Sequence, residues 1–206
     1  MLRLNYKLTL LFLLFFFFTN TNFAQIPDSG KQKILQTIDK DLEKYGKIAH
    51  EIWDLAELGF LEDKSTAILQ NHLQQEGFKI TKGVAGMPTA FVAEYGSGKP
   101  IIGLLAEYDA LPDMSQAAVP TKQANAEQAA AAGHACGHHL FGTGSMAAAV
   151  HVKNWLKQTG TSGTIRLYGS PAEEGGGGKV YMVRAGLFDD ADAVLSWHPG
   201  LSLIHI

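Results

Sequence analysis

Cysteine is almost missing from this chain: Cys136 is the single one in 206 residues. No internal disulfide can form, so a small disulfide-stapled scaffold is excluded. Basic charge is not in excess either, with 17 Lys and Arg against 20 Asp and Glu, a net −3. No RNP, zinc-finger or helix-turn-helix pattern occurs, and nucleic acid is therefore not expected as a partner. Long apolar runs are lacking too. Leu8–Phe18, broken only by Thr9, spans eleven residues, well short of the roughly 20 needed to cross a bilayer. No internal repeat is evident. The remaining composition, 46% apolar and 18% charged, is that of an ordinary globular protein.

The N-terminus carries an export pattern. Arg3 and Lys7 precede the short apolar run, and Ala24 follows it. A basic start, an apolar core and a small residue read as a signal peptide over residues 1–24, with an uncleaved anchor as the alternative. Asn22 fits an A-x-A site poorly, so the cut position is approximate. The mature chain, 25–206, would carry 15 basic and 20 acidic residues. It is expected in the periplasm or outside the cell, free of the membrane.

The rest of the chain alternates between two periodicities. Ile34, Ile38, Leu42, Tyr45, Ala49, Ile52 and Leu55 recur every three or four residues and predict one face of a long helix over 31–58. A second helix is expected at about 62–75, ending at Gly77. Strands are expected at 89–96, 100–109, 163–171 and 192–200, the second buried on both faces. A helix at about 138–158 and a short one within 175–190 intervene. This alternation predicts an α/β fold with parallel strands. A long polar, Ala-rich connection, 110–133, has the length of a functional loop.

Chemistry-bearing residues gather where the expected strands end. Glu107 and Asp109 close one strand, Glu173 and Glu174 follow another, and His198 closes a third. "GHACGHHLFGTGS" (133–145) sits just before a helix. Ligands in open α/β sheets bind at the carboxyl ends of strands. Cys136 and His138, two apart around Gly137, can point together, and thiolate and imidazole are both good ligands for zinc-like ions. A Cys–His nucleophile pair is the competing reading; the acids at the same sheet edge favour metal. A Glu-Glu pair alone reads as solvated surface. Placed between a strand and four glycines, Glu173 and Glu174 could instead divide metal binding from proton transfer. His198 alone is as readily structural as ligating.

"LLAEYDALP", "GHACGHHLFGTGS", "SPAEEGGGGKVYMVRAGLFDDADA" and "SWHPG", in that order, resemble the M20 metallopeptidase and amidohydrolase family. "EIWDLAELGFLEDKS" resembles its N-terminal helix and loop. The likeness covers nearly everything after the signal peptide. It implies the N-terminal part of a dinuclear-metal exopeptidase-like catalytic domain. Two divalent ions, Zn or Mn, would be held by Cys136, His138, Glu174 and His198, with the Cys136 thiolate bridging them. Glu173 matches the general base, and Asp109 the aspartate that orients a ligand histidine. His134 is a pocket candidate. His139 stands where many members carry Asp or Asn, a change close to the ligands.

The implied substrate is a small-molecule amide, an N-acyl amino acid with p-aminobenzoyl-glutamate leading. A dipeptidase, an aminoacylase or an inactive metal-binding fragment are the alternatives. The implied full-length protein is a homo-oligomer or pairs with a related subunit. The family's catalytic domain continues past His198 through a lid and dimerisation domain to a final histidine ligand. "LSLIHI" (201–206) does not continue that pattern, and truncation before the lid is expected.

Overall fold

The computed structural model describes residues 29–125 and 131–200. The expected signal peptide and the last six residues, His205 among them, lie outside the described residues. By contacts the chain divides after Leu35, and the sheet and the chemistry-bearing residues all belong to the unit that begins at Gln36.

Four α-helices and five strands are described: α1 Ser29–Leu55, α2 Asp63–Gln75, β1 Lys79–Lys82, β2 Phe91–Ser97, β3 Ile101–Ala106, α3 His138–Thr159, β4 Gly163–Gly169, α4 Gly178–Arg184 and β5 Ala193–Leu195. The strands form a mixed sheet in the order β1-β2-β4-β3-β5. β4 runs parallel to β3 and antiparallel to β2, and β5 runs parallel to β3. The expected α/β class with parallel strands is therefore present. β2 and β3 are adjacent in sequence but do not pair, because β4 lies between them.

Period-two alternation splits the strands between two cores. Phe91, Ala93, Ile165 and Leu167 pack with Tyr45 and Ile52 of α1, Leu69 and Leu73 of α2, and Met146 and Ala149 of α3. Val92, Leu105 and Tyr168 face the opposite side, with Met87, Met182 and Phe188. Burial on both faces falls on β4, nearly all of it buried, rather than on β3, where it was expected. β3 lies between β4 and the three-residue β5, whose side chains are all exposed. A short neighbour covers a strand's faces poorly.

The apolar stripe of α1 also divides. Tyr45, Ala49 and Ile52 are buried, but Leu42 is 71% exposed. α2 begins at Asp63 without a side-chain cap of its own. Glu57 caps it from outside, accepting hydrogen bonds from the Lys64 and Ser65 amides and the Ser65 hydroxyl. Among the described residues no helix is long and apolar enough to cross a membrane.

Candidate metal centre

β3 ends at Ala106, so Glu107 and Asp109 stand just beyond its carboxyl end. α3 starts directly at His138, and Gly137 before it has φ 78°. A Cβ at Gly137 would meet the Pro199 ring at 3.1 Å, next to His198. A Cβ at Gly142, one turn into α3, would lie 2.6 Å from the Glu107 carbonyl oxygen. Glycine thus lets α3 press against the end of β3, bringing His138 to the strand-end acids.

The His138 Nδ1–H donates to the Asp109 carboxylate at 2.9 Å. The other oxygen of Asp109 accepts the Glu174 amide at 2.8 Å. Asp109 thereby ties the start of α3 to the loop after β4. That loop is held from beneath by Glu62, fully buried, which accepts the Ala172 amide at 2.8 Å and the Thr89 hydroxyl at 2.8 Å. Ala172 has φ 53°, in the left-handed region that non-glycine residues seldom occupy. This held turn aims Glu173 and Glu174.

With Nδ1 engaged, His138 Nε2 faces the cluster. Ligand atoms of Cys136, His138 and His198 lie within 4.8 Å of one another. So do ligand atoms of Glu107, His138 and Glu173. Cys136 Sγ is 3.4 Å from His198 Nε2, and the His198 Nδ1–H donates to the Pro199 carbonyl at 2.7 Å. Trp197 anchors this tail by donating from its indole to Ser145 Oγ on α3. Glu173 is partly exposed at the edge of the cluster, with Oε2 3.8 Å from His138 Nε2.

The donors fit a cation. His138 Nε2, Glu107 Oε2 and Glu174 Oε1 are buried and lack hydrogen-bond partners. Buried polar atoms are costly to leave without a partner; Glu107 Oε2 and His138 Nε2 meet at 3.0 Å as an ion pair and share a ligand group with Glu173, a grouping that suits a cation, whereas Glu174 lies in neither group. The proton affinities carry the same mark of crowded negative charge. Burial opposes a charged His138, yet Asp109 and Glu107 outweigh it and raise its pKa to about 10. Burial, then Glu174, Glu173 and Glu107, pushes the Cys136 thiol up to about 11. A metal ligand must shed its proton, and a divalent ion would reverse both shifts.

His134 and His139 lie elsewhere. The His134 Nε2–H donates to the Ile52 carbonyl at 3.1 Å, tying the centre's loop to the end of α1. The two rings sit 5.0 Å apart and help line a cleft of about 480 Å³ with Trp53, Met114, Val119 and Leu140. Burial lowers both imidazoles to about 4, so both are neutral at pH 7. Neither joins either three-residue group among the described residues. Asp190 and Asp192, near His198 in sequence, pair instead with Arg166 and Lys99.

One contributor lies within LLAEYDALP but is given no role by the family resemblance. Glu107 is 4% exposed, 3.0 Å from His138 Nε2, and ion-paired with Lys179 of α4. Its one signal is its place two residues before Asp109 at a strand end, which puts both acids on one side.

Residues 103–205 match peptidase family M20/M25/M40. The chain belongs to this family. It is 50% identical over 165 residues to a subunit of the p-aminobenzoyl-glutamate hydrolase of Escherichia coli, covering 79% of this chain and 34% of that protein. It is 31% identical over 181 residues to the Xaa-Arg dipeptidase of Mus musculus, covering 82% and 38%. The chain thus spans between a third and two-fifths of the length of these relatives. Among solved structures, the Bacillus subtilis YXEP protein, a dinuclear metal binding peptidase of the M20 family, superposes with TM-score 0.62 at 26% identity, covering 78% of this chain and 44% of that one. The aminobenzoyl-glutamate utilization protein of Klebsiella pneumoniae shares the fold, with TM-score 0.59 at 19% identity over 82% of this chain and 46% of that one.

Proposed function

We propose that the protein is a metal-dependent amidohydrolase cleaving the amide bond of an N-acyl amino acid, with p-aminobenzoyl-glutamate as its substrate. The observation that carries this reading is the convergence of ligand atoms of Cys136, His138 and His198, with the buried Glu107 carboxylate and Glu173 against the same His138. Cys136, His138, Glu174 and His198 would hold the divalent ions. Thiolate draws zinc, whereas carboxylates suit manganese, and the proposal spans both. Such ions supply Lewis acidity toward the scissile carbonyl and lower the pKa of water.

The chain's own residues do the rest. Glu173, at the edge of the cluster, takes a proton from the attacking water and returns it to the departing amine. Asp109 holds Nδ1–H of His138, which fixes the tautomer and keeps Nε2 directed at the metals. The Pro199 carbonyl does the same for His198. His134 and His139 support the loop between them and line the adjoining cleft.

The substrate rests on the 50% identity to the E. coli hydrolase subunit; the name of that relative also motivates pairing with a second subunit, a homo-oligomer being the other arrangement. Likeness to the Xaa-Arg dipeptidase favours a second reading, dipeptide hydrolysis, with aminoacylase activity a related one. Full-length protein loaded with Zn²⁺ or Mn²⁺ is expected to release p-aminobenzoate from p-aminobenzoyl-glutamate faster than it cleaves dipeptides or N-acetyl amino acids. No p-aminobenzoate release would overturn the substrate, and turnover undiminished by chelation would overturn the metal. Export is part of the proposal, on the strength of Arg3, Lys7 and the run Leu8–Phe18. Fractionation and N-terminal sequencing would check it, an intact Met1 in the cytoplasm being the contrary result.

A further inference from the structure

We infer that Glu107 is itself a ligand of this centre and that Lys179 is the residue that positions it. The inference rests on the metal-dependent reading above. Glu107 is 4% exposed and its two oxygens are used unequally. Oε1 is taken by the Lys179 ammonium. Oε2 is buried, has no hydrogen-bond partner and lies 3.0 Å from His138 Nε2, which is also without one. The two atoms stand as an imidazole–carboxylate ion pair.

With no ion bound, Oε2 and Nε2 can share only a proton, as an ion pair. A divalent cation held by both atoms would take that proton's place. A separation of 3.0 Å lies at the lower end of the roughly 3.0–3.4 Å expected between neighbouring ligands bound at about 2.1 Å from one ion, from octahedral to tetrahedral geometry. His138 belongs both to the Glu107–Glu173 group and to the Cys136–His198 group, and its Nδ1 is bonded to Asp109, which leaves Nε2 for the ion. One imidazole nitrogen binds one ion, so Glu107 adjoins the ion that His138 holds.

Lys179 has a matching role. It lies in the first turn of α4, directly after the loop carrying Glu173 and Glu174. Its ammonium occupies Oε1, which leaves Oε2 to bind alone and offsets one negative charge in a donor set rich in carboxylates.

The test is Co²⁺ titration of full-length protein stripped of metal, following stoichiometry, affinity and the cobalt absorption spectrum. Wild type is expected to bind two ions. Glu107→Gln should keep its circular dichroism and weaken one ion by about tenfold or more, with an altered spectrum. Lys179→Met should retain both ions but change the spectrum of that same ion, and Lys179→Arg should restore it, which a merely structural lysine would not require. Two ions bound by Glu107→Gln with wild-type affinity and spectrum would refute the inference while leaving the metal centre intact. A wild type that binds no ion refutes the underlying metal reading as well. Should Glu107→Gln fail to fold, Glu107→Asp decides: a shifted spectrum supports ligation, an unshifted one refutes it.

Discussion

Asp109→Asn is the substitution whose outcome the geometry constrains most tightly. Asp109 is 1% exposed and accepts two hydrogen bonds, from His138 Nδ1 at 2.9 Å and from the Glu174 amide at 2.8 Å. Burial alone would raise its pKa, but the bonds to His138 and Glu174 overcome this and hold it below the usual value. It is therefore an ionised acceptor at neutral pH. Asparagine keeps the shape but offers one acceptor oxygen and one NH₂ group. If the oxygen stays with the Glu174 amide, the NH₂ faces His138 Nδ1 and demands the opposite tautomer. Nε2 then carries the proton and cannot bind metal. If the amide flips, the Glu174 N–H meets an NH₂ group and the loop after β4 is disturbed.

Loss of such a supporting partner costs about 10- to 100-fold in metal affinity, or about 1.4–2.7 kcal/mol. Competition of the full-length variant against a chromophoric chelator measures this directly. Binding within twofold of wild type would refute the claim that Asp109 sets the His138 tautomer.

Other substitutions test the scaffold. Glu62→Ala strands the Ala172 amide and the Thr89 hydroxyl, both bonded to Glu62 at 2.8 Å, and should cost about 2–5 kcal/mol by denaturant melting; a loss under about 1 kcal/mol would contradict its anchoring role. Gly142→Ala places a Cβ 2.6 Å from the Glu107 carbonyl, so α3 must retreat and the melting free energy should fall by about 1–3 kcal/mol. Glu76 should give acid sensitivity. Burial raises its pKa, but Lys153 and Lys44 outweigh this and hold it below the ordinary glutamate value. Its stabilising contribution is complete above the unfolded pKa and disappears as pH falls through the lower, folded one. Glu76→Gln should accordingly lower stability at pH 7 and flatten the loss between pH 7 and acid; a variant as acid-labile as wild type would assign that lability to other groups.

Much of this protein is legible from residue spacing alone. His138 opens α3 and Thr159 closes it, against an expected end near 158, and α2 runs Asp63–Gln75, against an expected 62–75. Both helices announce themselves because apolar periodicity and flanking glycines are local properties of the chain. The strand-end clustering of Glu107, Asp109, Glu173, Glu174 and His198 was readable for a similar reason, since strands joined through helices run parallel and bring their carboxyl ends to one edge, as β3, β4 and β5 do. β1 escaped notice because KITK (79–82) is a largely exposed edge strand with one partly buried apolar side chain, Ile80.

Other features depend on partners distant in sequence. β4 enters between β2 and β3, and Leu42 stays exposed on a helix whose stripe predicted burial. The local pattern is the same whether a neighbour arrives or not. Glu107 and Asp109 look equivalent in sequence, yet they contact opposite nitrogens of the same imidazole. His134 shares a seven-residue stretch with Cys136 and His138, yet it bonds the end of α1. Residue types and spacing pointed to a metal-binding chemistry; the orientation of each side chain came from long-range packing, in which Gly142 against the Glu107 carbonyl and the buried Glu62 matter as much as the candidate ligands themselves.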